Sequence, residues 1–97
     1  MTFRLLYSEK SKPEIQESYN HYEDEQAGLG EKFLLKLDEI LERIVKTPFS
    51  FPQKGKFREC YIGVFPFLVI DEIKGNSIYI HAVFHTSRNP KKKNKSR

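Results

Sequence analysis

Hydrophobic and polar positions alternate most clearly in the last third of the chain. Ile78, Ile80, Ala82 and Phe84 occupy every second position, which is the period of a strand with one face on a core. Tyr79, His81, Val83 and His85 hold the other phase. Upstream, residues 64–70 are apolar at nearly every position, the mark of a central strand covered on both faces. Lys74, Gly75, Asn76 and Ser77, between the two runs, have turn composition. The pattern predicts two long strands in a hairpin, and the rest of the chain should cover them.

The earlier residues supply that cover. An apolar run at residues 3–7 suits a first strand. Ser11 can cap a helix, with Glu14 reaching back to its N–H and Pro13 tolerated in the first turn. Ile15, Tyr19 and Tyr22 then fall at helical spacing and make a narrow stripe. Gly28 and Gly30 end this helix and permit a tight reversal. A second helix carries a stronger stripe at Phe33, Leu34, Leu37, Ile40, Leu41 and Ile44, with Lys32, Lys36, Glu39 and Glu42 off it. Pro48 stops it by restricting Thr47. Residues 12–46 therefore read as a helical hairpin. Phe49 and Phe51 should plug its end, and residues 57–62 should form a further strand. The order is β-α-α-β-β-β: an α+β fold with a helical hairpin packed on a small, mainly antiparallel sheet.

Composition narrows the setting. The length suits one domain, here residues 1–90, with residues 91–97 as a disordered basic tail. The net charge is +4, from 17 basic and 13 acidic residues. Lys91, Lys92, Lys93, Lys95 and Arg97 account for that excess, and without them the balance is slightly negative. The basic character belongs to the tail rather than to the whole surface. A single cysteine, Cys60, excludes an internal disulfide and fits a reducing cytoplasm. No apolar run approaches a membrane span or a signal peptide.

Chemistry is sparser. His81 and His85 stand four residues apart on a strand, about 13 Å, too far to share one metal whose ligands lie at about 2 Å. Gly28 and Gly30 sit between helices, so they are not a phosphate loop. Cys60 reads as a packing residue. Lys54, Lys56 and Arg58 stand before and at the start of one strand, and His85 and Arg88 at the end of another. If the sheet brought these ends together, an imidazole among cations would suit metal-free RNA cleavage or simple phosphate binding. Otherwise they are surface charges. Phe65, Phe67 and Val69 in one phase, with Leu68 and Ile70 in the other, exceed what one core face needs and suggest a surface for a protein partner.

Several segments together resemble the RelE/ParE toxin superfamily. They are Tyr22-Glu-Asp-Glu-Gln-Ala-Gly-Leu-Gly-Glu-Lys-Phe33, Thr47-Pro48, Lys56-Phe-Arg58, Phe65-Pro-Phe67 and His85-Thr-Ser-Arg-Asn-Pro90. Their order and spacing cover nearly the whole chain. The resemblance implies the toxin of a type II toxin–antitoxin pair, cytoplasmic and without a cofactor. It would be neutralised by a cognate antitoxin, as a homodimer or a toxin–antitoxin hetero-oligomer. The RelE branch cleaves mRNA on the ribosome, and the ParE branch poisons DNA gyrase. The RelE pattern has an arginine in the central strand where this chain has Phe67, and often a late tyrosine where this chain has none after Tyr79. The segments at 28–33 and 65–67 are closer to ParE. The resemblance thus implies gyrase inhibition by binding, with Lys54, Lys56, Lys91, Lys92 and Lys93 as target or phosphate contacts. Its rivals are a ribosome-dependent endoribonuclease using His85, Arg88 and Arg58, and a non-toxic interaction domain of the same fold.

Overall fold

The computed structural model describes residues 3–63 and 65–85. The chain runs β1 (Arg4–Tyr7), α1 (Ser11–Glu25), α2 (Leu29–Lys46), a 3-10 turn (Pro48–Ser50), β2 (Gln53–Lys54), β3 (Phe57–Tyr61), β4 (Phe67–Lys74) and β5 (Ser77–His85). The strands form one sheet in the order β1-β5-β4-β3-β2. β1 runs parallel to β5, and every other pairing is antiparallel. The expected α+β architecture is present, with one added two-residue strand, β2, in the loop before β3. Arg88, Lys91, Lys92, Lys93 and the rest of the basic tail lie outside the described residues.

The core forms where the α2 stripe meets the sheet. Phe33, Leu37, Ile40, Leu41 and Ile44 pack with Cys60, Phe67, Val69, Ile78, Ile80 and Val83. An aromatic cluster closes the turn-proximal end of the helical hairpin. Phe33 and Phe67 have ring centroids 4.6 Å apart, and Tyr22 stands 4.8 Å from Phe65. This corrects the expectation that Phe65, Phe67 and Val69 face a partner. All three are buried under the helices, because their phase of the strand and its approach is the helix-covered one.

Two local departures from simple alternation shape the sheet. The central strand begins at Phe67 rather than at residue 64, and it continues through Asp71 and Glu72 to Lys74. Pro66 offers no N–H to a ladder, and the Phe67 N–H turns back to the Phe65 carbonyl at 2.7 Å. In the β4–β5 pairing, Ile70 faces Ala82 but Asp71 faces Ile80, so His81 is the extra residue of a bulge. The bulge inverts the phase of β5. Ile78 and Ile80 point into the core, Val83 follows them, and Ala82 falls outside the core cluster. The expected single face of Ile78, Ile80, Ala82 and Phe84 is therefore split in two.

The start of α1 also differs from its expected form. The Ser8 hydroxyl, not that of Ser11, accepts the Ser11 N–H at 3.0 Å, and it donates to the His81 carbonyl at 2.9 Å. Glu14 does not reach back to the Ser11 N–H. Its carboxylate accepts the Val83 N–H at 2.8 Å. β1 ends at Tyr7 opposite Ile80, so β5 has no strand neighbour there. A half-buried carboxylate takes the orphan donor instead, and this ties α1 to the sheet.

Candidate functional site

The face of the sheet turned away from the helices carries a compact polar and aromatic group. The His81 Nε2 lies 2.8 Å from a Glu72 oxygen. Glu72 is 6% exposed, whereas the His81 side chain is 36% exposed. The His81 hydrogen bond, aided by the charges of Lys74 and Lys56 and opposed by burial, holds the Glu72 carboxyl below its usual range. An ionised Glu72 requires the proton on Nε2, and in the neutral imidazole Nδ1 is then an acceptor. No described residue bonds to that nitrogen. Phe57 meets the imidazole edge to face at 5.1 Å, and Tyr79 lies near-parallel to it at 6.2 Å. Lys56 sits over the Phe57 ring and Lys74 over the Tyr79 ring. His81 shares the outer face with Tyr79 and Glu72, and the bulge begins at His81 and returns the next core position to Val83.

Among the described residues, those expected from the sequence do not assemble around it in the foreseen way. Arg58 belongs to the other phase of β3, paired with Asp71. Its guanidinium donates to the Phe51 carbonyl at 3.0 Å and to Gln53 Oε1 at 3.1 Å, and it stacks over Phe49. It fastens the segment before β3 onto the sheet. Phe49 accordingly lies exposed under Arg58 instead of plugging the hairpin, while Phe51 packs partly against the core. The backbone of His85 pairs with Phe67 on the far side of β4. Arg58 and His85 are thus two strand spacings and about 13 Å of strand apart. Lys54 pairs with Glu59 at 3.4 Å. Of the expected cations among the described residues, only Lys56 joins the His81 group.

A second polar pair lies on the helix side of the same strands. Asp71 is fully buried, its Oδ2 accepting from the Cys60 thiol at 3.5 Å and its Oδ1 without a partner among the described residues. Burial raises the carboxyl above its ordinary value of 3.8, only partly offset by the Cys60 hydrogen bond and by Arg58 and His81. Burial likewise raises the Cys60 thiol, which keeps it protonated and unreactive. A raised carboxyl means that the native state holds its proton more tightly than the unfolded chain does. The Asp71 contribution is complete below pH 3.8 and is lost as pH rises through the raised value. Asp71→Asn should therefore gain stability relative to the parent as pH rises. Urea unfolding of both proteins at pH 4 and pH 8 measures this, and a gap that shrinks at pH 8 would contradict it.

The sheet also leaves β1 as an edge. Arg4 directs its N–H to the Asn76 carbonyl just before β5, and Ser8 directs its own to the Ile80 carbonyl, at 2.9 Å each. The alternation of a parallel ladder turns the backbone of Leu5 and Tyr7 outward. A groove follows this edge under the helices. One part, of about 350 Å³, is lined by Ile15, Leu34 and Leu37. The next, of about 400 Å³, is lined by Leu5 and Val45, and both parts include Tyr7, Asp38 and Leu41. Burial and the Asp38 charge raise the Tyr7 hydroxyl. An unpaired strand edge beside an apolar groove is a docking surface for an extended peptide. No helix among the described residues is long and apolar enough to cross a membrane.

Comparison with known proteins agrees with this architecture. The family described as the ParE toxin of the type II toxin–antitoxin system, parDE, matches residues 5–90. No match to a curated protein was found. The fold is similar to the chromosomal ParDE toxin–antitoxin system of P. aeruginosa, with a TM-score of 0.65 and 20% identity, covering 86% of this chain and 95% of that one. It is also similar to the E. coli DinJ–YafQ toxin–antitoxin complex, with a TM-score of 0.64 and 8% identity, covering 90% and 96%. At such identities these two structures speak to the fold alone. The family match spans nearly all of the chain, which therefore belongs to the ParE toxin family of type II toxin–antitoxin systems.

Proposed function

We propose that this toxin acts by binding DNA gyrase and is neutralised by an antitoxin segment laid along β1. Family membership supports the toxin reading. The observation that carries binding over RNA cleavage is the state of Phe67 and Arg58. Phe67 is wholly buried in the core, and Arg58 is spent on the carbonyls and side chain of the preceding segment. Neither offers a free cation to a scissile phosphate, as cleavage through Arg58 and His85 would need. The β1 edge supports the antitoxin placement. A paired strand would satisfy the outward backbone of Leu5 and Tyr7, and its apolar side chains would fill the groove against Leu34 and Leu41.

Induction in cells tests this reading. Growth should stop with DNA damage ahead of any fall in translation. Co-expression of the protein from the neighbouring reading frame should restore growth. Leu41→Asp, placed in the groove, should weaken that rescue. Translation that fails first, without DNA damage, would contradict gyrase as the target. Rescue unchanged by the groove substitution would contradict the docking site.

A further inference from the structure

The open face of the sheet has features that the antitoxin groove does not use. Charge is divided between the two layers. Residues 9–46, the helical layer, hold ten acidic residues against six basic ones. Residues 53–85 with Arg4 hold five basic against three acidic, and one of those acids, Asp71, is in the core. The other two acids are occupied, Glu59 by Lys54 and Glu72 by His81. The cations of this layer are less committed. Lys56 and Lys74 rest over aromatic rings, each 5.4 Å from a centroid, a weak and exposed contact that a phosphate would outbid. Between them the half-exposed rings of Phe57, His81 and Tyr79 stand side by side, and Tyr61 is exposed beyond them on β3.

We infer that this face, centred on the Glu72–His81 pair, binds single-stranded nucleic acid. The lysines on either side would take successive phosphates, and unstacked bases would lie on the Tyr79 and Phe57 rings after the ammonium groups swing away. Glu72 holds the imidazole through Nε2, and Nδ1 of the neutral ring is left as an acceptor. That atom can receive a hydrogen bond from the exocyclic amine of a base. A duplex fits poorly, because its bases are already stacked and their faces are closed to the rings. The acidic helical layer turns the same ligand away from the opposite side. The inference does not rest on the gyrase reading, since it concerns a different ligand, and it shares only Lys56 with the target contacts expected from the sequence.

Fluorescence anisotropy on the full chain tests it, with labelled 12-nucleotide DNA and RNA single strands of one sequence and the matching duplex. Both single strands should bind more tightly than the duplex; a preference between them reports contact with the 2′-hydroxyl. The double substitution Lys56→Gln, Lys74→Gln should weaken single-strand binding about 10-fold or more. It should also reduce the slope of log affinity against log salt by about 1.4, at about 0.7 per lost phosphate contact. Tyr79→Leu keeps bulk but loses the ring, and it should weaken binding about 5-fold or more. The control pair Lys12→Gln, Lys32→Gln, on the helical layer, should change little. Unfolding midpoints confirm that each variant is folded. Equal binding of duplex and single strands would overturn the inference. So would equal loss in the control pair, or affinity that ignores the face variants and disappears only when residues 91–97 are deleted.

Discussion

Phe67→Ala should lower the free energy of unfolding by about 3–5 kcal/mol, the usual cost of truncating a buried aromatic ring. Phe67 has no exposed surface, and its ring packs against Phe33 at 4.6 Å and Tyr22 at 5.9 Å. The cavity would open between the sheet and the N-terminal part of α2, where Phe65 and Tyr22 also converge. Those rings are held by their own neighbours and cannot all move in to fill it. A domain of this size has about 5–15 kcal/mol in total, so the variant should be marginal at 37 °C. Denaturant unfolding of the purified variant gives the value. The same experiment decides between core and surface for this residue. A partner-facing phenylalanine, removed from the free protein, would change stability by about 0.5 kcal/mol or less.

Gly30→Ala should destabilise the helical hairpin by about 1–3 kcal/mol. A methyl group at Gly30 would come within 2.8 Å of the Tyr19 carbonyl, the Tyr19 ring and a Glu23 oxygen. Two of these can shift, but the carbonyl belongs to the backbone of α1. Glu23 moreover caps α2 from the preceding helix, accepting the N–H groups of Gly28 and Gly30 at 2.9 Å each. Forcing α1 away would release that carboxylate from the positive end of α2. Alanine is the better helix former by about 1 kcal/mol, so a net gain in stability would show that the two helices separate freely. Gly28→Ala makes a useful comparison. Its φ of +89° is unfavourable to a side chain, but nothing lies within 4 Å of the added carbon. Its cost should come from backbone strain alone, about 1–2 kcal/mol.

The helices were legible because a single force acts on them. The α2 stripe from Phe33 to Ile44 repeats at helical spacing, and the residues on it are the ones the sheet covers. The sheet was harder because its alternation is broken at His81, beside Glu72. A bulge at His81 cannot be read from periodicity, since Ile78, Ile80, Ala82 and Phe84 alternate straight through it. The Glu72–His81 pair did have a signal. The turn at Gly75 and Asn76 sets Glu72 opposite Tyr79, which makes His81 its diagonal neighbour on the same face. The expectation for Phe65, Phe67 and Val69 failed for another reason. A run apolar in both phases does not say which phase the helices take. The roles of Arg58 and Glu14 depend on contacts across 7 to 69 residues of chain. Local pattern carries no record of such contacts, and only the assembled fold shows that both charges are already engaged.

The most direct test of the account is the supercoiling of relaxed plasmid by purified DNA gyrase in the presence of this protein. Dose-dependent inhibition is expected, relieved when the protein from the neighbouring reading frame is added first. His85→Ala should leave the inhibition largely intact, since binding spreads its energy over a surface and requires no single reactive group. Full gyrase activity at every dose would contradict the account. Codon-specific mRNA cleavage in a purified translation system, lost on substitution of His81 or His85, would then identify the protein as a ribosome-dependent nuclease.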